Sequence, residues 1–331
     1  MWMIRNNGGD FAEEFLKQGI GAIGWKNAGS LAALKTRDAI IERVRETWPE
    51  YKQMKVVVSG SQLDKMANAM KLGDRVVTYD PSKRVYHVGQ IAGGYEFDPE
   101  AEESIANRRK VSWKYQIERD RLSVPSKNSL GSTLTIFTVP TKVEQEIDAL
   151  ISGKVETAAQ PEVFADSEAD LNTEFLLADL KARAKEFIKD KIIKLDWEEM
   201  QELVAGVLRA MGYKTRVSPQ GSDRGKDIIA SPDGLGLEQP RIVAEVKHRP
   251  NQQMGSQEIR SFLGGRHKDD RGLYVSTAGF SKDAKYEGDR ASIPLMLMDI
   301  DDLVNLVVEY YEELDLETRS LLPLTKIYWP S

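Results

Sequence analysis

The run Arg241-Ile-Val-Ala-Glu-Val-Lys-His248 constrains the fold of this chain more than any other segment, because its polar and apolar residues trade places along it. Strand side chains point to opposite faces with a period of two, so Ile242, Ala244 and Val246 share one face and Val243, Glu245 and Lys247 the other. A strand that turns its first face into a core therefore carries an acid and a base side by side on its second face. An isolated Glu-x-Lys of this kind is usually a solvated ion pair, so its meaning rests on what surrounds it.

The preceding segment supplies that context. Gly221-Ser-Asp-Arg-Gly-Lys-Asp227 places glycines where a turn needs them and an acid at the start of the next strand. A hairpin through Ser231-Pro-Asp-Gly-Leu-Gly236 then returns the chain and brings Asp227 beside Glu245. Two carboxylates so placed suit a hard divalent cation, magnesium with manganese as a substitute, which neutralises charge on a phosphodiester and acidifies an attacking water. Lys247 would orient or deprotonate that water, or offset charge that develops away from the cation. Without cysteine, and with three scattered histidines, the chain has no thiolate or histidine-rich metal site, which leaves oxygen ligands. Residues 221–227 are one short of phosphate-loop spacing, and Asp227 stands where a hydroxyl should be, so no ATP is expected.

A length of 331 residues allows two domains. The net charge of -6 requires any contact with nucleic acid to come from local patches. Residues 1–140 mix β-rich runs at 55–59, 75–79, 85–92, 110–115 and 134–139 with helical patterns at 30–47 and 61–70, an α+β unit built on a small sheet or barrel. Residues 141–173 are rich in Glu, Ala, Asp and Ser, and 174–191 form a charged amphipathic helix, so 141–195 is expected to be a linker containing a helix. From there to residue 331 the expected order is αβββαβαβα. Asp196 and Glu199 have capping-box spacing and open a helix that Gly212 ends. Trp197, Met200, Val204, Val207, Leu208 and Met211 make its apolar stripe, with Gln201 at the edge. No apolar run is long enough to span a bilayer and residues 1–14 lack a leader pattern, so no membrane contact and a cytoplasmic location are expected.

These motifs together resemble the catalytic domain of the Mrr-like restriction endonucleases, a branch of the PD-(D/E)xK superfamily. The resemblance covers residues 196–313. It rests on Leu208-Arg-Ala-Met-Gly-Tyr213, the glycine and aspartate run ending at Asp227, Glu245-x-Lys247, and Tyr274-Val-Ser-Thr-Ala-Gly-Phe-Ser281. It implies an α/β fold with a central mixed sheet and a magnesium-dependent endodeoxyribonuclease, with Asp227 and Glu245 as metal ligands and Lys247 as a catalytic group. The family's first-helix glutamate falls by register at Gln201. That side chain adds no negative charge, and Glu198 is the nearest acid that could replace it.

Residues 1–140 resemble the EVE-like members of the PUA superfold, which read modified bases. Gly24-Trp25, Gly73-Asp-Arg-Val-Val-Thr-Tyr79, Val88 through Phe97, Arg108-Arg-Lys-Val-Ser-Trp113 and Leu134-Thr-Ile-Phe137 carry this resemblance. It implies a small β-barrel. An extruded base needs aromatic or apolar walls, for which Trp25, Tyr79, Tyr95, Phe97 and Trp113 are candidates, Trp25 and Trp113 foremost. Each could instead fill the small core. Arg108, Arg109 and Lys110 are candidate phosphate contacts. The combined expectation is a modification-dependent endonuclease for double-stranded DNA with a role in defence. It would act as a homodimer, since two strands need two sites. The same residues leave open a repair nuclease for unmodified or damaged DNA, and a modified-DNA-binding module whose nuclease site is weakened.

Overall fold

The structure, a computed structural model, describes residues 1–153, 173–218 and 227–328. The chain divides into two compact units, Met1–Arg183 and Ala184–Pro330.

In the first unit the strands are β1 (Trp2–Ile4), β2 (Ile20–Ile23), β3 (Arg75–Asp80), β4 (Val85–Phe97), β5 (Asn107–Glu118) and β6 (Ile136–Thr138). They form one sheet in the order β2-β5-β4-β3-β1-β6. β1 runs parallel to β3, and the other pairings are antiparallel. Each face carries its own core, and alternation along the strands decides which residue goes where. Ile4 and Val76 join one core, which also takes Phe15 from helix α1 (Ala12–Gln18), Ile40 and Val44 from α2 (Arg37–Thr47), and Val56 and Leu63 from α3 (Gln53–Asp64). Met3 and Val77 join the other, with Leu130 of α4 (Val124–Leu130) and Val143 and Ile147 of α5 (Thr141–Ile151).

Residues 55–59, expected as a strand, lie inside α3. The run Val56-Val57-Val58 favours strand geometry locally, but tertiary packing overrides so weak a preference. Gly60 sits so close to Ile41 of α2 that an added Cβ would lie 2.6 Å from it, and the Gln62 Oε1 accepts the Thr135 N–H at 2.6 Å. The helix expected from residue 30 begins at Arg37, where the Thr36 hydroxyl caps the Ala39 N–H. Part of the expected linker is α5, packed in the first unit. The helix α6 (Thr173–Ile192) contains the division between units. Residues 154–172 of that linker lie outside the described residues.

The second unit contains α7 (Trp197–Ala210), β7 (Lys214–Val217), β8 (Ile228–Ser231), β9 (Arg241–Lys247), α8 (Ser256–Gly264), β10 (Asp270–Ser276), α9 (Lys282–Asp289), β11 (Leu295–Met298), α10 (Ile300–Glu309) and α11 (Leu316–Leu321). Its mixed sheet has the order β11-β10-β9-β8-β7, parallel from β11 to β9 and antiparallel thereafter. One face packs Ala244, Val246, Leu273 and Val275 against Met200, Val204 and Val207 of α7 and Leu303 and Val307 of α10. The other packs Tyr274 against Ile259 and Phe262 of α8 and Ala284 of α9. Among the described residues, no helix is long and apolar enough to cross a membrane.

Candidate functional sites

β9 divides its side chains as the alternation requires. Ala244 and Val246 enter the larger core, while Glu245 lies opposite Tyr274 of β10 on the second face. Helices α8 and α9 pack on that face around Tyr274, and the Glu245 side chain is 11% and the Lys247 side chain 29% exposed. The Lys247 Nζ lies 2.6 Å from the Glu245 Oε1. On the far side of β9, the Lys247 carbonyl accepts the Thr277 N–H at 3.2 Å, which fixes the strand end from which the ammonium projects.

Asp227 reaches the same place from β8. Its N–H donates to the Ala244 carbonyl at 2.9 Å, and its Oδ2 accepts the Val246 N–H at 2.7 Å. The β8 ladder starts at Ile228, so this carboxylate supplies an acceptor where a strand carbonyl would otherwise be needed. It thereby touches the backbone between Glu245 and Lys247. The Lys247–Glu245 contact and the Asp227 bond to the intervening Val246 N–H lie at the carboxyl end of β9, which runs parallel to β10, the end at which open α/β sheets bind ligands.

Two further side chains sense this charge. Burial raises the Tyr274 phenol well above its ordinary value, and the negative charge of Glu245 adds to the rise. Burial lowers the Arg266 guanidinium, and the charges of Glu245, Asp270 and Asp227 oppose that shift. Arg266 stacks over the Phe262 ring at 4.4 Å and donates from Nε to the Phe262 carbonyl at 2.8 Å. It follows Gly264-Gly265 at the end of a helix, and nothing in the local sequence marks it as a group that feels the charge of the two carboxylates.

Gln201 is buried on α7 and lines an open groove with Glu198, Val217 and Ser218. The Ser218 N–H donates to the Asp227 carbonyl at 2.8 Å, so the groove borders the strand that leads to Asp227. Glu199 completes the capping box with Asp196, and Glu202 pairs with Arg209 at 2.5 Å. Trp197 and Met211, expected in the apolar stripe, are instead exposed, and Leu203 takes a place in the core. Residues 219–226, most of the expected turn before Asp227, lie outside the described residues. Among the described residues, no group of three or more acidic or histidine side chains gathers at one point. A divalent cation here would rest on Asp227 and Glu245, a donor set that suits magnesium, which commonly takes one or two carboxylates with water and substrate oxygens.

In the first unit, several candidate nucleic-acid contacts are committed to the fold. Tyr79 is buried, packed against Tyr86 with ring centroids 4.7 Å apart, and cannot present a face to a base. Arg109 is buried and donates from Nε to the Met66 carbonyl at 2.7 Å and from Nη2 to the Ala67 carbonyl at 2.9 Å. Its guanidinium therefore satisfies the helical turn after α3 and is withheld from phosphate. Arg108 pairs with Asp98 at 2.6 Å. Lys110 stands in solvent 3.8 Å from Glu96. Trp113 is half-buried, and its indole N–H donates to the Phe15 and Ile20 carbonyls at 3.1 Å each. The Tyr95 hydroxyl donates to Asn107 at 2.6 Å, and Phe97 is half-buried at the end of β4.

Trp25 differs from these residues. It has φ 59° and ψ 42°, left-handed backbone that costs a bulky residue on the order of 1–2 kcal/mol. It is half-buried against the first core. Among the described residues its indole N–H has no hydrogen-bond partner.

Comparisons with known proteins divide the chain at about the same place. Residues 192–307 match the Mrr catalytic-domain family, described as a restriction endonuclease. Residues 2–140 match a domain of unknown function, DUF8426. An uncharacterized protein, y4cE of Sinorhizobium fredii, is 30% identical over 125 residues, 36% of this chain and 31% of that protein. The chain thus spans about a third of the length of this curated relative. Among solved structures, the MspJI restriction endonuclease in complex with a 27-mer oligonucleotide aligns over 82% of this chain and 70% of its own, with 14% identity and a TM-score of 0.33. The DNA modification-dependent restriction endonuclease AspBHI aligns over 91% and 79%, with 15% identity and a TM-score of 0.31. At that level of likeness neither defines the fold of this chain.

Proposed function

With residues 192–307 forming a restriction-endonuclease domain of the Mrr type, we propose that the chain is a modification-dependent DNA endonuclease acting in defence. In this reading the first unit reads an altered base and the second hydrolyses the backbone. The observation that carries it is the contact of Lys247 with Glu245 beside the Asp227 carboxylate, at a strand end inside the matched region.

Asp227 and Glu245 would hold a magnesium ion, or manganese in its place, which when bound supplies positive charge at the phosphate. Lys247, whose Nζ lies 2.6 Å from the Glu245 Oε1, would orient the attacking water or offset charge on the phosphate oxygens. The Val246 N–H, donating to the Asp227 Oδ2 at 2.7 Å, would help to hold that carboxylate in place. Gln201, through its amide oxygen, would bind water at the border of the site without adding charge. Double-strand cutting would take two copies of the chain, each supplying one site.

The first unit, an EVE-like or PUA-type sheet domain in this reading, would flip the base out of the duplex. Trp25 is the leading stacking wall, because its half-exposed indole has a free N–H among the described residues. The test is cleavage, with magnesium present, of duplexes that differ only in methylation, hydroxymethylation or glucosylation of one base. We expect cutting that depends on one of these marks. Equal rates on all duplexes would favour the repair-type nuclease, and binding without cutting would favour a silent site.

A further inference from the structure

Trp25 and Arg84 are the non-glycine residues with positive φ among the described residues. A bulky aromatic keeps such a backbone when its surroundings fix the chain on both sides, and held strain of this kind clusters at ligand-binding sites. Here Asn107 and Tyr95 take part in the fixing, together with Glu103, whose Oε1 accepts the Lys26 N–H at 3.2 Å. Before Trp25, the Gly24 carbonyl accepts the Asn107 Nδ2–H at 2.5 Å. After it, the Leu31 N–H donates to the Tyr95 hydroxyl at 3.1 Å. The two grips are joined, because the Tyr95 hydroxyl donates to the Asn107 Oδ1 at 2.6 Å.

The direction of every bond in this chain is forced. A backbone N–H can only donate, so the Tyr95 oxygen accepts from Leu31 and must send its own proton onward to the Asn107 oxygen. That fixes the orientation of the Asn107 amide and turns its NH2 toward Gly24, a carbonyl that can only accept. Asn107 is fully buried opposite Ile23 at the start of β5. Lys26 adds a further hold, donating from Nζ to the Ala101 carbonyl at 2.8 Å.

We propose that Tyr95 and Asn107 are positioning residues that lock the loop carrying Trp25, so that its indole is set for an extruded base before DNA arrives. This rests on the reading of the first unit as a reader of modified bases. It changes the part played by Tyr95, whose hydroxyl is used to hold the loop and so is not offered to the base. Presetting a contact surface lowers the ordering cost of binding and shows chiefly as affinity for the ligand that fits.

The experiment uses the full chain labelled with 5-fluorotryptophan, with the Trp25 fluorine resonance assigned by its loss in Trp25→Phe. Binding is measured in EDTA, so that nothing is cut, on duplexes carrying 5-methylcytosine, 5-hydroxymethylcytosine, its glucosylated form, N6-methyladenine or no mark. In Tyr95→Phe the Trp25 resonance should shift or broaden, and the preference for the marked duplex should fall about tenfold. Tyr95→Phe should add nothing further in a Trp25→Ala background, since both changes remove one device. Asn107→Ala should give the same pattern, and the milder Tyr95→Phe decides the matter if that buried variant fails to fold. A Tyr95→Phe protein with an unmoved resonance and parental preference overturns the lock. A parental protein that binds every duplex equally overturns base reading instead, while the resonance still decides whether Tyr95 holds Trp25.

Discussion

Arg109 in the first unit and Lys247 in the second are both basic residues on strands with charged neighbours, yet they end in opposite circumstances. Arg109 is buried and donates to the carbonyls of a helical turn. Lys247 sits at a strand end, partly exposed, against the carboxylate of Glu245. The contrast extends beyond these two. The first unit also buries Arg5, whose guanidinium donates to the Gly131 and Ser132 carbonyls, and Arg119, which donates to the Tyr86 hydroxyl at 2.9 Å. Cations so used hold shape and are unavailable to a polyanion. The second unit also buries charge, as in Lys189, which pairs with Glu186 and Asp301, but Lys247 at the end of the central strand β9 keeps 29% of its side chain exposed. Chemistry and architecture thus draw on the same residue types, and burial with complete hydrogen bonding separates the two uses.

The largest effect that could break this comparison is on cleavage. Lys247→Ala, Glu245→Ala and Asp227→Ala should each lower single-turnover cutting by about a thousandfold or more, as expected when charge stabilisation of a transition state is removed. DNA binding in EDTA should stay close to parental. A variant of the three that cuts at the parental rate would remove that residue from the site.

Next in size is stability. Arg109→Met leaves the Met66 and Ala67 carbonyls without their donor in a buried place, at a cost of about 2–4 kcal/mol, read as a lower urea midpoint. Lys110→Ala, one residue along and in solvent, should change the midpoint by less than about 0.5 kcal/mol. Similar losses from both would mean that Arg109 is not the structural cation described here.

This pair also shows how much could be read in the sequence. Alternation along β9 placed Glu245 and Lys247 on one face, and the capping box placed the start of α7, because both are local patterns with a fixed geometric meaning. The same alternation was available at Arg108-Arg109-Lys110. It sets Arg109 on the face opposite its two neighbours and in line with the buried Asn107 and Val111, but the triplet reads first as one basic patch. Other features had no local signal. The valines of α3 favour a strand until α2 is placed beside them. The influence of the Asp227 and Glu245 charges on Arg266 depends on segments far apart in the chain. The bond between Tyr95 and Asn107 is a diagonal contact between β4 and β5, in the stretch that follows a register shift between Ile91 and Tyr95.

A smaller effect sharpens the account of the second unit. In the proposed site Gln201 would stand at the border without charge, so Gln201→Glu should strengthen cation binding. We expect half-maximal cutting at about three- to tenfold lower magnesium, since affinity for hard cations follows the charge of the ligand set. Direct manganese binding followed by electron paramagnetic resonance should tighten in parallel. An unchanged metal requirement would place Gln201 outside the reach of the ion.

The smallest effect is a pH dependence in the first unit. His87 is buried on β4, opposite Thr78 and 4.0 Å from the Asp80 carboxylate, and its Nε2 has no hydrogen-bond partner among the described residues. Burial lowers its proton affinity below the ordinary value of 6.5, Asp80 opposes the shift and Lys83 adds to it. The unfolded chain therefore binds the His87 proton at a higher pH than the folded chain does. Between the two values folding must release that proton, so stability is full above about 6.5 and falls as pH drops through that value toward the folded one. Urea midpoints of the full chain, taken on the transition that Arg109→Met shifts, should decline from about pH 7 to about pH 5.5. His87→Gln should lower the midpoint overall and flatten that decline, because its amide does not titrate. A decline of unchanged slope in His87→Gln would assign the acid sensitivity of the first unit to other groups.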